Sequence, residues 1–281
     1  MAIGRMTVAC LVMAAGVAPG VATAQGTSAA SPRPGVIDLW SAGTTAFGVF
    51  VPDENPAPRG PDRGPAVYSA AGGQALAKNP LLDFVFLNLE GRYDRDAVMA
   101  ISEGLGKKGT PGRKTMLVRI PSMVDAGPQV TLQRIKEILA MGADGVTLPH
   151  VETLDQGRQA VSLFADARAN VWSPANPTGT VIAMLMLEDP GAMAVAKEIA
   201  DIGGYSVLAC GIGSLTSALK GDRVAAEQSN QELLAETKRV KLVNMITANK
   251  DDVAQRVKEG FLGLLVPNDE VIKAGRAAAG R

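Results

Sequence analysis

The sequence predicts a single (β/α)8 barrel, and three observations point there. Short apolar runs alternate with amphipathic segments from about residue 47 to the C-terminus, the pattern of a parallel sheet with helical crossovers. The alternation repeats eight times, which suits one barrel better than a doubly wound sheet. No glycine fingerprint of the dinucleotide-binding type follows the first apolar run.

The elements follow in order. The first strand is expected over 47–51, and a proline-rich stretch (Pro52, Pro56, Pro58, Pro61, Pro65) separates it from a short helix over 72–78. Loops this long are uncommon in compact domains and often functional. Residues 84–90 read as a strand, and 94–104 as a helix with Asp94 at its N-cap. A third strand, 115–120, stops at Pro121. Leu132, Ile135, Ile138 and Leu139 give 130–141 one apolar face, and Gly142 closes that helix. A short strand at 145–148 stops at Pro149 and leads into a helix over 153–168. Seven apolar residues from Val181 to Leu187 form a strand buried on both faces, ended by Glu188, Asp189 and Pro190. A helix over 191–202, a strand over 206–210 and a long polar helix over 222–239 come next. Strands at 242–246 and 262–266 and helices at 251–260 and 268–278 complete the eight units.

The 281 residues are 47% hydrophobic and 20% charged, with equal numbers of acids and bases. That composition supports a sizeable core and offers no basic tract for nucleic acid. The first 24 residues differ in kind: Arg5 makes a small positive region, Thr7 to Ala18 is apolar, and Ala22-Thr23-Ala24 forms a small-residue cleavage site before Gln25. This is the pattern of a secretory signal peptide, and Gly16, Pro19 and Gly20 interrupt the run too early for a bilayer anchor. The expectation is an exported, periplasmic chain that has no membrane partner once the signal is cleaved. Cleavage removes Cys10 and leaves Cys210 alone, so no intramolecular disulfide is expected. The domain reading is a signal peptide over 1–24, a leader over 25–45 and one barrel over 46–281.

In a barrel, chemistry sits at the carboxyl ends of the strands. Those positions bring Asn88, Glu90, Arg119, His150, Glu188, Asp189 and the Gly211–Ser214 segment to one rim. Glu188 and Arg119 carry the most information, because each ends an otherwise apolar run. Carboxylates favour a hard divalent cation such as Mg2+ or Mn2+, which polarises a bound 2-oxo acid. The planar fork of Arg119 suits a carboxylate or oxyanion. His150, the single histidine, has two readings: a ring packed beside Pro149, or a general base. Cys210 reads as a buried structural thiol, and Gly211 to Ser214 as backbone donors to an anion if a helix starts there.

Several segments carry a family resemblance: LLDFVFLNLEG (81–91), LVRIP (117–121), GADGVTLPHVET (142–153), AMLMLED (183–189) and GIGSL (211–215). In order and spacing the chain resembles the HpcH/HpaI aldolase and citrate lyase family from about Phe47 to Val266. The resemblance implies a metal-dependent (β/α)8 barrel that makes or cleaves carbon–carbon bonds beside 2-oxo acids, and a homo-oligomer. It also implies that Arg119 binds the substrate carboxylate and oxyanion, that Glu188 is a metal carboxylate, and that Glu90 is the acid of the family's aspartate-x-glutamate-histidine segment. The chain departs from the pattern at four places: Asn88 stands for that aspartate, Gly91 for the histidine, Ser214 for the second metal carboxylate and Met186 for a glutamine.

The resulting expectation is a carbon–carbon lyase acting on a small 2-oxo or hydroxy acid. Glu188 would hold the cation together with Asp189 or Glu90. Arg119, Glu90 and His150 would be the catalytic groups, and Arg119, Asn88, Gly211 and Ser214 the substrate contacts. Two alternatives stand beside it: a non-catalytic carboxylate-binding barrel, and a metal-free lyase or isomerase.

Overall fold

The computed structural model describes residues 1–2, 35–58 and 63–281. All but two residues of the expected signal peptide, and the leader up to residue 34, lie outside the described residues. The elements below belong to one unit, Ser31–Arg281.

The expected barrel is present. Among the described residues eight parallel strands close in sequence order, with the last paired to the first. They are β1 (Ala46–Phe50), β2 (Phe84–Asn88), β3 (Thr115–Arg119), β4 (Gly145–Leu148), β5 (Ile182–Leu187), β6 (Val207–Cys210), β7 (Val243–Thr247) and β8 (Gly263–Leu265). Each lies within one residue of the stretch the apolar runs predict, except β2, which ends two residues before Glu90.

Alternation along each strand divides the core into two layers. Phe84 and Phe86 of β2 and Ile182, Met184 and Met186 of β5 belong to an inner cluster. Their neighbours Val85, Leu87, Ala183, Leu185 and Leu187 pack in the outer cluster under the helices. Continuing the alternation past the strand ends turns Arg119, Glu188, Gly211 and Thr247 inward. The same count turns Asp189 outward.

The lower mouth of the barrel corrects one expectation. Residues Gly35–Ser41, part of the expected leader, form a helix with Val36, Ile37 and Trp40 buried in the inner cluster. Trp40 donates its indole N–H to the Leu262 carbonyl at 2.8 Å and lies 6.0 Å, ring to ring, from Trp172. Burying apolar groups against the open end of the barrel outweighs the weak intrinsic tendency of a seven-residue helix. Carboxylates just below the strands fasten this end. Asp144 accepts from the Met116 N–H at 2.8 Å and from Arg113 at 2.6 Å, and Asp83 accepts from the Phe47 N–H at 2.9 Å and pairs with Arg276 and Arg281.

The helices depart from expectation in two ways. The one expected over 191–202 is divided at Val195 into Pro190–Ala194 and Ala196–Asp201. Two further short helices are Met123–Ala126, in a stretch given no element, and Ile212–Ala218, which starts within the Gly211–Ser214 segment where a helix start was conditional. Asp94 caps its helix as expected, accepting from the Ala97 N–H at 3.0 Å. None of the helices among the described residues is long and apolar enough to cross a membrane.

Candidate functional site

Four polar side chains converge above β2 to β5. Arg119, the last residue of β3, directs Nη2 at Glu90 Oε1 (2.5 Å) and at both oxygens of Glu188 (3.1 and 2.9 Å). His150 follows β4 and contacts the same two carboxylates. Its Nε2 is 2.7 Å from Glu90 Oε1, and its Nδ1 is 3.1 Å from Glu188 Oε2. The backbone of His150 has φ +53°, a left-handed conformation uncommon for a residue with a Cβ. This turn, immediately after Pro149, carries the ring back over the barrel mouth.

Glu188 is the most buried of the four, its side chain 2% exposed. Burial raises its pKa above the ordinary carboxylate value, and Glu90 adds to the rise; Arg119 and His150 oppose it. A neutral imidazole has one N–H, yet both ring nitrogens of His150 face carboxylate oxygens. Of the two contacts, that of Nε2 with Glu90 has hydrogen-bond geometry.

The donor set fits a divalent cation. Glu90, His150 and Glu188 each offer a ligand atom, and these atoms all lie within 4.8 Å of one another. Two carboxylates with one imidazole suit Mn2+ and related ions, and the carboxylates alone suit Mg2+. Arg119 Nη2 touches both carboxylates. Its Nε is buried without a hydrogen-bond partner, so this guanidinium is incompletely fastened.

Beside the cluster lies a cavity of about 220 Å3. Arg119 and Glu188 form its charged wall; Ser214 and Gly211 contribute as well, and Phe86, Met184, Met186 and Met245 form much of the rest. Gly211 leaves room for Glu188, because a Cβ there would run into the Glu188 carboxylate. Cys210 also borders the cavity, with its thiol pushed up to about 12 chiefly by burial. It is a protonated wall group and no nucleophile.

Several expectations are met in position and others are corrected. Arg119, Glu188 and Glu90 meet as expected, and Gly211 and Ser214 lie on the cavity. His150 belongs to the cluster, contrary to the reading that packs it beside Pro149. Asp189, expected as a possible metal ligand, points away; its Oδ1 accepts from the Gly191 N–H at 2.7 Å and caps the helix Pro190–Ala194. Asn88 is not at the cluster either. Its Oδ1 accepts from the Glu90 N–H at 3.2 Å, which shapes the turn carrying Glu90, and the residue borders a separate cavity near Arg63. The sequence reading missed Met184 and Met245 as cavity residues. The alternation within β5 and β7 was the signal that would have found them.

No family model and no curated protein sequence matches the chain. Solved structures do. An HpcH/HpaI aldolase from Desulfitobacterium hafniense DCB-2 superposes with a TM-score of 0.62 at 18% identity, over 86% of this chain and 93% of that one. An HpcH/HpaI aldolase/citrate lyase family protein from Burkholderia cenocepacia J2315 gives 0.64 at 17%, over 88% and 97%. The fold is that of the HpcH/HpaI aldolases and citrate lyases. A citrate lyase beta subunit from M. tuberculosis, complexed with oxaloacetate and magnesium, gives 0.57 at 18%, over 86% of this chain and all of that one.

Proposed function

We propose that the chain is a carbon–carbon lyase of aldolase type, acting on a 2-oxo or hydroxy acid with a divalent cation, Mg2+ or Mn2+, held by Glu188 and Glu90. The observation that carries this reading is the meeting of Arg119, Glu90, His150 and Glu188 at one rim, beside a cavity of substrate size. When bound, the cation supplies Lewis acidity toward the substrate's 2-oxo group. Arg119 presents its planar fork to the substrate carboxylate and to the oxygen on which negative charge develops. His150 is the proton carrier. It is the most exposed member of the group, at 39%, so it exchanges protons with water, while its contact with Glu90 fixes the ring. In the cleavage direction it accepts the substrate hydroxyl proton at a ring nitrogen as the carbon–carbon bond breaks, then returns a proton to carbon. His150 thus supplies the imidazole that the resembling family carries at the place of Gly91.

One observation favours a second reading, a binding protein without turnover: Arg119 already pairs with both Glu90 and Glu188. Turnover separates the two readings. Mn2+-loaded protein given 4-hydroxy-2-oxo acids is expected to release pyruvate, and Arg119→Lys is expected to lower kcat/KM about 100-fold, as for loss of an oxyanion donor. An unchanged rate in that variant would remove Arg119 from the reaction; pyruvate release from no substrate would leave the binding reading. Export to the periplasm, on the pattern of residues 1–24, and assembly as a homo-oligomer complete the proposal.

A further inference from the structure

The rim above the barrel is divided. Charged groups occupy the half from β2 to β5. From Glu188 round to β1 the cavity wall turns apolar. Met184 and Met186 of β5 and Met245 of β7 are nearly fully buried beneath it, with Phe86 and Leu265 beside them. Phe50 and Phe86 meet edge to face at 5.5 Å and complete that side. Among the described residues lining the cavity, Arg119 and Glu188 alone are charged, and Ser214 and Thr247 supply neutral hydroxyls.

We infer that the substrate is a monocarboxylic acid with an apolar tail, and that dicarboxylic acids are selected against. This inference rests on the proposed function and specifies its substrate class. A carboxylate held by Arg119 sends the remainder of the molecule along the methionine wall. Methionine side chains are flexible and polarisable and adapt to aliphatic or aryl groups. A dry apolar cavity of about 150 Å3 holds a benzene ring, so the present one, about 220 Å3, takes a tail of about four to six carbons.

Beyond Arg119, no cationic side chain among the described residues lines the cavity to receive a second carboxylate. Arg256 borders a neighbouring cavity and is 7% exposed. Its Nη1 and Nη2 bind Glu227 at 2.5 and 2.7 Å, and Nη1 also binds Glu259 at 3.1 Å. Placing an unpaired anion against the methionines would incur its desolvation cost without compensation. The M. tuberculosis citrate lyase subunit, in complex with oxaloacetate, handles a dicarboxylate; this wall is built for a different tail.

The test is calorimetric binding to the full chain in Mn2+ buffer. The probes are pyruvate, 2-oxobutanoate, 2-oxopentanoate and 2-oxohexanoate, set against oxaloacetate and 2-oxoglutarate. Affinity is expected to rise about fourfold per methylene until the cavity fills, and 2-oxoglutarate to bind at least about tenfold more weakly than 2-oxohexanoate. Thr247→Arg, at an exposed position on the cavity edge, is expected to reverse that order by adding a cation. A flat series with pyruvate still bound, or 2-oxoglutarate binding as tightly as 2-oxohexanoate, would overturn the tail assignment and leave the lyase reading standing. Failure of every 2-oxo acid, pyruvate included, would overturn the lyase reading and the inference with it.

Discussion

Asp144 below the barrel and Glu188 above it are both buried carboxylates paired with an arginine, and their surroundings differ. Arg113, which holds Asp144, is itself fixed by the carbonyls of Gly106 and Gly142 at 2.8 and 2.9 Å. Asp144 also accepts a backbone N–H. At the upper end a single nitrogen of Arg119 serves Glu90 and Glu188 together, and Arg119 Nε has no partner. The lower end is an ion pair tied into backbone bonds and capped by the Trp40 helix. The upper end is a cluster of side chains in which Glu188 is held by Arg119 and His150. In barrels of this architecture the upper end carries the chemistry and the lower end the stability, and here the hydrogen bonds show why.

The largest expected effect tests the lower end. Trp40→Ala leaves a cavity where an indole closes the barrel, and is expected to cost about 3–5 kcal/mol in denaturant unfolding with Mn2+ affinity unchanged. A parallel loss of Mn2+ affinity in folded protein would mean that the two ends are not separable.

Glu188→Gln tests the upper end. It is expected to weaken Mn2+ binding by more than about 100-fold, beyond the cost of a change outside the ligand shell. Stability should respond in the opposite sense. The folded pKa of Glu188 is raised, so between the unfolded and folded values the native state binds the extra proton. Wild-type stability therefore falls as pH rises through that window, and the penalty is absent below the ordinary carboxylate pKa. The variant is expected to gain on wild type from pH 4 to pH 7 in thermal melts without metal. A variant that loses ground over that range would contradict the burial account of Glu188.

The smallest effect sharpens the comparison. Gly211→Ala places a methyl group against the Glu188 carboxylate. It is expected to lower Mn2+ affinity about tenfold, as displaced supporting groups do, with little change in melting temperature. Unaltered affinity would show that Glu188 has room to move.

The barrel was legible because its strands are buried on both faces and read as unbroken apolar runs, each followed by a helical period. The helix at Gly35–Ser41 was hidden: its three anchoring residues sit beside a Gly-, Ser- and Pro-rich leader, and the barrel mouth they fill exists only after folding. Within the site, Arg119, Glu188 and Glu90 were legible as polar ends of apolar strands. Asp189 was misread because adjacency to Glu188 was weighed above strand alternation, which turns it outward to a helix cap. His150 could not be settled from sequence, since its direction depends on a left-handed backbone turn after Pro149. Asn88 was expected at the substrate; its Oδ1 accepts from the Glu90 N–H, a local contact that its sequence position did not reveal.

The most direct measurement is calorimetric titration of Mn2+ into metal-stripped protein, with and without oxalate, which mimics the enolate of pyruvate. The account predicts saturable binding at one site per chain, tightened by oxalate and abolished in Glu188→Gln. No Mn2+ binding by the wild type, or binding that Glu188→Gln leaves intact, would contradict it.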